Sequence, residues 1–411
     1  MKEIIIGKTG ISKDLFWGYV GLIIFMLGAT IETSWFSSYL TNIGFQVKLA
    51  SLLFSGYGLF VAFFSWISSF LVNRFSEKKV MMGSMLISFL STVILVLGLS
   101  SNHALLIFLG YMLRGAVYPL FAYAFLVMVT LQTPASNLGK GTSWFWLCFN
   151  LGMTILGPVF ASRLLQYFQV NSLFLLGNFF VLLGGTCSLF CCPGGQRIAS
   201  THSIVNEMQE GIRILKRQPR LFLGLVVKAI NNIGQFGFVI MMPIFLLQHS
   251  FSLVQWSSAW ALCYIVNSFA GIIFGSLGDK YGWQKIVTLF SGTITGFSCL
   301  LLAIVTNYFP GNYLLLVFSF IIFAVGIAAF GPLSALIPSM VPDKKVIAIS
   351  VLNLGSGLSN LCGPILITLL FQQYGGNVTL IVFALLYFFA SFLSIFLKES
   401  GQNLQEKISS N

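Results

Sequence analysis

Residues 275–285 read Gly275-Ser276-Leu277-Gly278-Asp279-Lys280-Tyr281-Gly282-Trp283-Gln284-Lys285, the most polar short segment between two long apolar runs. A worn copy lies 206 residues earlier, Ser69-Phe70-Leu71-Val72-Asn73-Arg74-Phe75-Ser76-Glu77-Lys78-Lys79. Leu71 answers to Leu277, Asn73 to Asp279, Arg74 to Lys280 and Lys79 to Lys285. That offset is half of the 411-residue chain. The chain therefore reads as two related halves, each with a charged turn between its second and third apolar segments. The glycines allow two helix ends to approach closely. The acid is expected at the start of the next helix, where the helix dipole favours negative charge. The basic residues belong on the cytoplasmic side of a membrane. The first copy has Asn73 for the acid and Ser69 and Ser76 for two of the glycines.

Hydrophobic residues make up 57 % of the chain and charged residues 8 %, whereas a soluble chain carries about 25 % charged residues. An integral membrane protein is the class these figures leave. The formal charge of +12 does not point to nucleic acid, because the basic residues stand singly between apolar runs, the pattern of the positive-inside rule. Twelve segments long enough to span a bilayer are expected at 16–40, 49–72, 80–100, 104–131, 139–162, 170–192, 220–248, 255–277, 285–305, 312–340, 346–371 and 377–397. Residues 193–219, with Pro193, Gly194 and Gly195 followed by Arg213, Lys216 and Arg217, read as a cytoplasmic linker between an N-terminal half, 1–192, and a C-terminal half, 220–411. With the N-terminus in the cytoplasm, 18 of the 22 basic residues fall inside and only Lys48 and Arg163 outside, so both termini are placed in the cytoplasm. Seven cysteines lie within or at the ends of apolar segments, without the spacing of a disulfide framework or a metal site. No phosphate-binding loop, metal-spaced histidine pair or nucleophile elbow occurs. An enzyme, an ATP-driven pump and a bound cofactor are not expected.

The pattern Gly-x-Leu-x-Asp-[Arg/Lys]-x-Gly-x-x-[Lys/Arg] at 275–285 resembles the cytoplasmic signature of the major facilitator superfamily. The resemblance implies an all-α fold of twelve transmembrane helices in two pseudo-symmetric six-helix bundles. It also implies a conformational hinge at Gly275, Gly278, Asp279, Lys280 and Gly282, with Arg74 in the earlier copy. Further internal symmetry agrees with the duplication. Asn150-Leu151-Gly152 and Gly157-Pro158 in segment 5 recur as Asn353-Leu354-Gly355 and Gly363-Pro364 in segment 11. Two such bundles around a midplane site are the architecture of many secondary transporters.

Three charged residues remain at membrane depth: Glu32, Arg114 and Lys228. A charge there is costly, and by default it marks a functional site. At 1.5 Å per residue, Glu32 lies about 12 Å and Arg114 about 15 Å from the same face, so the two are expected to pair, either as a proton- or substrate-linked site or as a structural clamp. Lys228 in segment 7 shares a helix face with Asn231 and Gln235, a polar strip expected to line a cavity. The alternative is a lysine that snorkels to the cytoplasmic side. Asn353 and Asn360 are further candidates, with interhelical bridging as the alternative. Tyr118, Trp144 and Trp146 offer aromatic faces on which a sugar or polyol can stack.

Several stretches resemble one branch of the superfamily, the bacterial polyol permeases for ribitol and arabinitol. They are the run around Glu32, Leu113-Arg114-Gly115, Tyr118-Pro119-Leu120-Phe121, Trp144-Phe145-Trp146, Met242-Pro243 and Gly357-Leu358-Ser359-Asn360. The resemblance implies a single-chain symporter of about twelve helices. Proton-coupled uptake with Glu32 as the proton site is the expected activity, by a monomer in a bacterial inner membrane, with a small-molecule substrate and protons as its partners and the lipid bilayer around it. One departure bears on the substrate. The branch carries an extra acid in helix 1, in a Gly-Asp-Gly-x-Glu pattern, where this chain has Gly28-Ala29-Thr30-Ile31-Glu32. One acid against two cations at membrane depth favours an anionic ligand, so a hydroxycarboxylate stands beside a polyol as the expected substrate. Import or export of a carboxylate siderophore, drug or other metabolite is an alternative, and a non-transporting membrane sensor is the alternative from another class.

Overall fold

The computed structural model describes residues 13–33, 35–36, 39–40, 43–45, 47–192 and 204–397. The terminal lysines Lys2, Lys8, Lys398 and Lys407 and the linker residues Pro193, Gly194 and Gly195 lie outside them. Among the described residues all regular structure is helical. Eleven helices among the described residues, from Leu52–Phe75 to Gln373–Ser394, are long and apolar enough to cross a membrane, and the shorter apolar helix Phe16–Ala29 stands where segment 1 is expected.

Three segments expected to be continuous are interrupted, each for a local reason. Segment 1 stops as a helix at Ala29, and Thr30 turns its hydroxyl back to the Met26 carbonyl at 2.7 Å, a bond that competes with helix continuation. Segment 4 divides into Ala104–Arg114 and Val117–Gln132. Pro119 has no N–H, and its ring excludes the carbonyl four residues back, that of Gly115. Segment 10 divides into Tyr313–Ala328 and Leu333–Ser339, where Pro332 acts on Ala328 in the same way. Segments 11 and 12 join across Gly375, whose φ of 79° is not helical. Segment 5 absorbs Pro158 through a π-helical stretch, Leu151–Leu156, a wider turn that frees a backbone position.

The chain separates into two compact units, Met1–Thr133 with Trp144–Glu207, and Pro134–Ser143 with Met208–Asn411. In the first, Phe25 of segment 1 stacks on Phe121 of segment 4 with ring centroids 3.7 Å apart. A second cluster there joins Ile31, Trp35, Phe36, Tyr111 and Phe174. In the second unit, Phe238 of segment 7 meets Phe323 of segment 10 and Phe383 of segment 12. The stacked pair Trp256 and Trp260 on segment 8 packs on Phe320. Aromatic packing of this kind adds about 0.5–1.5 kcal/mol per pair beyond area burial.

The backbone carries the repeat as well. Gly282, between Leu253–Tyr281 and Trp283–Ile286, has φ 100° and ψ 131°. Ser76, its counterpart 206 residues earlier, has φ 83° and ψ 156°. This region is open to glycine and strains an L-residue by about 1–3 kcal/mol. After the entropic cost of glycine, Ser76→Gly is expected to stabilise the protein by about 1 kcal/mol. Equilibrium unfolding in detergent measures this, and a gain of zero or a loss would show that Ser76 sits there without strain.

Candidate functional site

The breaks in segments 1 and 4 place Glu32 in a turn and Arg114 at the last residue of its helix, both buried. Arg114 Nε–H donates to Glu32 Oε1 at 2.9 Å and Nη2–H to Oε2 at 2.8 Å. The third arm, Nη1–H, donates to Thr92 Oγ1 at 3.0 Å. The guanidinium carbon lies 5.4 Å from the centre of the Phe174 ring. One arginine thus joins segments 1, 3, 4 and 6. Tyr57 and Tyr111 stack 5.0 Å apart and interact electrostatically with both charges. A bidentate fork is a strong, charge-assisted arrangement of these two groups. It is also a conditional one. Removing either charge leaves the other buried and uncompensated, so the joint between four segments depends on both partners keeping their charge. The sequence spacing anticipates the pair but not Thr92, Tyr57, Tyr111 or Phe174. Thr92 continues the row Ser84, Ser88 and Ser91, all buried on the helix Glu77–Ser100, and that hydroxyl row is the signal that could have found it.

Tyr118 is buried, with its ring 5.9 Å from Phe149 and 6.4 Å from Tyr123. Trp146 is half-buried, 5.0 Å from Phe145 and 5.4 Å from Phe149. Trp144 is half-buried on the same helix. Tyr118, Tyr123, Phe145, Trp146 and Phe149 form a patch of their own, whereas the rings near the ion pair are Phe174, Tyr57 and Tyr111.

In the second unit Lys228 is 4 % exposed on the helix Pro219–Leu247. Its burial disfavours a side chain snorkelling to a wet surface. Its stem lies against segment 11, since a Cβ built on Gly355 would stand 3.1 Å from Lys228 Cβ. Two residues from Gly355, Asn353 is fully buried. Next to Gly355, the buried Ser356 hydroxyl has no hydrogen-bond partner among the described residues. Asn360 Nδ2–H donates to the Ser356 carbonyl at 3.3 Å. On the Lys228 helix, Asn231 Nδ2–H donates to Asn232 Oδ1 at 3.0 Å, and Gln235 is half-buried. Segments 7 and 11 thus bring a buried ammonium, several amides and a hydroxyl to one helix pair.

Asp279 corrects one expectation. It lies in the last turn of Leu253–Tyr281 rather than at the start of the next helix, because that helix runs on to Tyr281 before Gly282 turns the chain. Its carboxylate does meet a helix N-terminus, but that of segment 5. Oδ1 accepts the Gly139 N–H at 2.8 Å and Oδ2 the Lys140 N–H at 3.0 Å. Trp283 Nε1–H adds a third bond at 2.9 Å. Gly275 faces Gly139 so closely that a Cβ on it would lie 2.6 Å from the Gly139 carbonyl and 2.3 Å from Ser143 Oγ. Gly278 abuts Trp283 and Pro332. Lys280 is exposed, 5.0 Å from the Tyr281 ring centre, and Arg74 is exposed at the end of Val47–Phe75. Among the described residues no cluster of three His, Cys, Asp or Glu side chains is arranged to hold a metal.

A repeat of apolar helices, a buried ion pair and a charged turn tied to a second helix together describe a polytopic solute carrier. The chain belongs to the Major Facilitator Superfamily, which it matches over residues 18–330 and again over 273–409. It is a multi-pass membrane transporter of small molecules and not an enzyme. It is 35 % identical to the alpha-ketoglutarate permease of Bacillus subtilis (strain 168) over 404 residues, covering 97 % of this chain and 92 % of that protein. It is 30 % identical to the D-arabinitol transporter of Klebsiella pneumoniae over 405 residues, 97 % of this chain and 95 % of that one. In fold it is similar to the crystal structure of the human organic anion transporter MFSD10 (TETRAN), with a TM-score of 0.67 at 12 % identity, over 92 % of this chain and 98 % of that chain.

Proposed function

We propose that this protein is a proton-coupled secondary transporter that takes up a small oxo- or hydroxycarboxylate across a bacterial plasma membrane by alternating access, with both termini in the cytoplasm. The observation that carries the reading is the buried fork of Glu32 and Arg114, with Lys228 buried elsewhere in the spans. Glu32 is the proton site, and Arg114 is its counter-charge while the fork is closed. Lys228, with Asn231, Gln235, Asn353 and Asn360, is the anion-binding strip. A substrate carboxylate there meets a buried cation among amides, and a charge at membrane depth marks a functional site by default. The 35 % identical relative is named for a carboxylate, alpha-ketoglutarate, which supports this class. The second reading is a polyol, supported by the relative named for D-arabinitol and by the aromatic faces of Tyr118, Trp144 and Trp146. Uptake of labelled alpha-ketoglutarate and D-arabinitol into proteoliposomes under an inward proton gradient separates the two. Accumulation of the carboxylate alone is expected, and accumulation of arabinitol alone would replace the first reading by the second.

Asp279 is the conformational tie in this scheme, and Asn73 is not. The carboxylate accepts three N–H donors across two segments, and each charge-assisted bond contributes about 1.5–3 kcal/mol. Asp279→Asn keeps the shape but loses the charge at a helix N-terminus. It is expected to change the rate of conformational exchange about tenfold, by weakening bonds of that size, with substrate affinity kept. Asn73→Ala is expected to change neither. Exchange rates from single-molecule fluorescence, set beside equilibrium binding, decide this. Equal effects of both substitutions, or a loss confined to affinity, would contradict it.

A further inference from the structure

Outside the proposed transport site, the second unit carries an open cleft of about 530 Å³ between the end of segment 8 and the start of segment 5. Its lining changes character from one end to the other. Ile272, Ile273 and Leu277 form an apolar wall, and Ile273 is 61 % exposed. Ser136, Ser276, Lys140 and Lys280 supply two hydroxyls and two ammonium groups. Asp279 also lines it, but its carboxylate is already engaged by Gly139, Lys140 and Trp283. The formal balance is one positive charge, with the only acid turned toward its own hydrogen bonds. The cleft stands where an apolar span ends, at Tyr281, the level at which lipid headgroups lie beside a bilayer core.

We propose that this cleft binds one anionic phospholipid from the leaflet on that side. The phosphate lies between Lys140 and Lys280 with Ser136 as a donor, and an acyl chain follows Ile272, Ile273 and Leu277. Lysine binds phosphate as a point charge, and the apolar wall distinguishes a lipid from a soluble phosphate. A lipid held there touches residues on both sides of the Asp279 tie, so the leaflet's anionic content reaches the contact between segments 5 and 8.

Native mass spectrometry of the full chain released from detergent, titrated with phosphatidylglycerol, tests the proposal. The wild type is expected to retain one tightly bound lipid. The Lys140→Gln/Lys280→Gln protein is expected to bind it about thirtyfold more weakly, from about a fivefold loss per lysine. Lys280→Gln alone, at an exposed position, gives the fivefold step without risk to folding. Arg213→Gln/Arg217→Gln, basic positions outside the cleft, is expected to keep the lipid. Unchanged retention in both lysine variants would overturn the proposal. So would equal retention of phosphatidylcholine by the wild type, and so would displacement of the lipid by an equal concentration of glycerol phosphate.

Discussion

Arg114→Met is expected to abolish proton-driven accumulation and to lower stability by about 3–5 kcal/mol, the usual cost of removing one partner of a buried ion pair. The reason is geometric. Arg114 spends two donors on Glu32 and a third on Thr92, and its guanidinium lies over Phe174. Without it, Glu32 is a buried carboxyl group with no counter-charge, and the coupling assigned to the pair is lost. Glu32→Gln/Arg114→Met separates this account from a simple clamp. With both charges gone most of the stability should return, because a buried pair and a neutral pair of similar volume are often close in stability. Accumulation should not return. If stability and accumulation recover together in the double variant, the pair is a clamp and its proton role is refuted. Stability is read from denaturant unfolding, and accumulation from labelled substrate in proteoliposomes.

Lys228→Gln is expected to weaken binding of alpha-ketoglutarate by about thirtyfold or more, the effect of truncating one partner of a buried charge pair. The lysine is buried, with its stem against Gly355, on a helix that also carries Asn231 and Gln235. A ligand that binds only the folded state raises stability by RT ln(1 + L/Kd), where L is the free ligand concentration, so thermal shift is the readout. The wild type should be stabilised by alpha-ketoglutarate and by citrate-like hydroxycarboxylates, and Lys228→Gln should respond to neither. Stabilisation by D-arabinitol alone, equal in wild type and variant, would remove Lys228 from the binding site and return the substrate to the polyol class.

The fold was largely legible because its signals are local. Apolar run length, the basic residues between runs and the offset of 206 between two charged turns lead to the observed helices without tertiary information. Pro119 and Pro332 also announce the breaks in segments 4 and 10, although a continuous apolar pattern masks them. The break after Ala29 is harder, since it depends on the Thr30 hydroxyl bonding the Met26 carbonyl and, at 3.3 Å, that of Met153. The Glu32–Arg114 pair was legible from matching depth. Its remaining partners were not, because Thr92 and Phe174 are ordinary residues of apolar helices until packing brings them to the guanidinium. Asp279 shows the same limit. Its affinity for a helix N-terminus follows from charge, yet the N-terminus it meets lies 140 residues away in the chain, a separation that no local pattern encodes.

Proton movement accompanying substrate entry is the most direct test of the central claim, that Glu32 couples the carboxylate to the proton. Proteoliposomes loaded with a pH-sensitive dye report the lumen while alpha-ketoglutarate is added outside without a pre-set gradient. Wild-type protein should acidify the lumen in step with uptake, and Glu32→Gln should exchange labelled for unlabelled substrate with no acidification. Wild-type uptake without any change in lumenal pH, or acidification preserved in Glu32→Gln, would contradict the account.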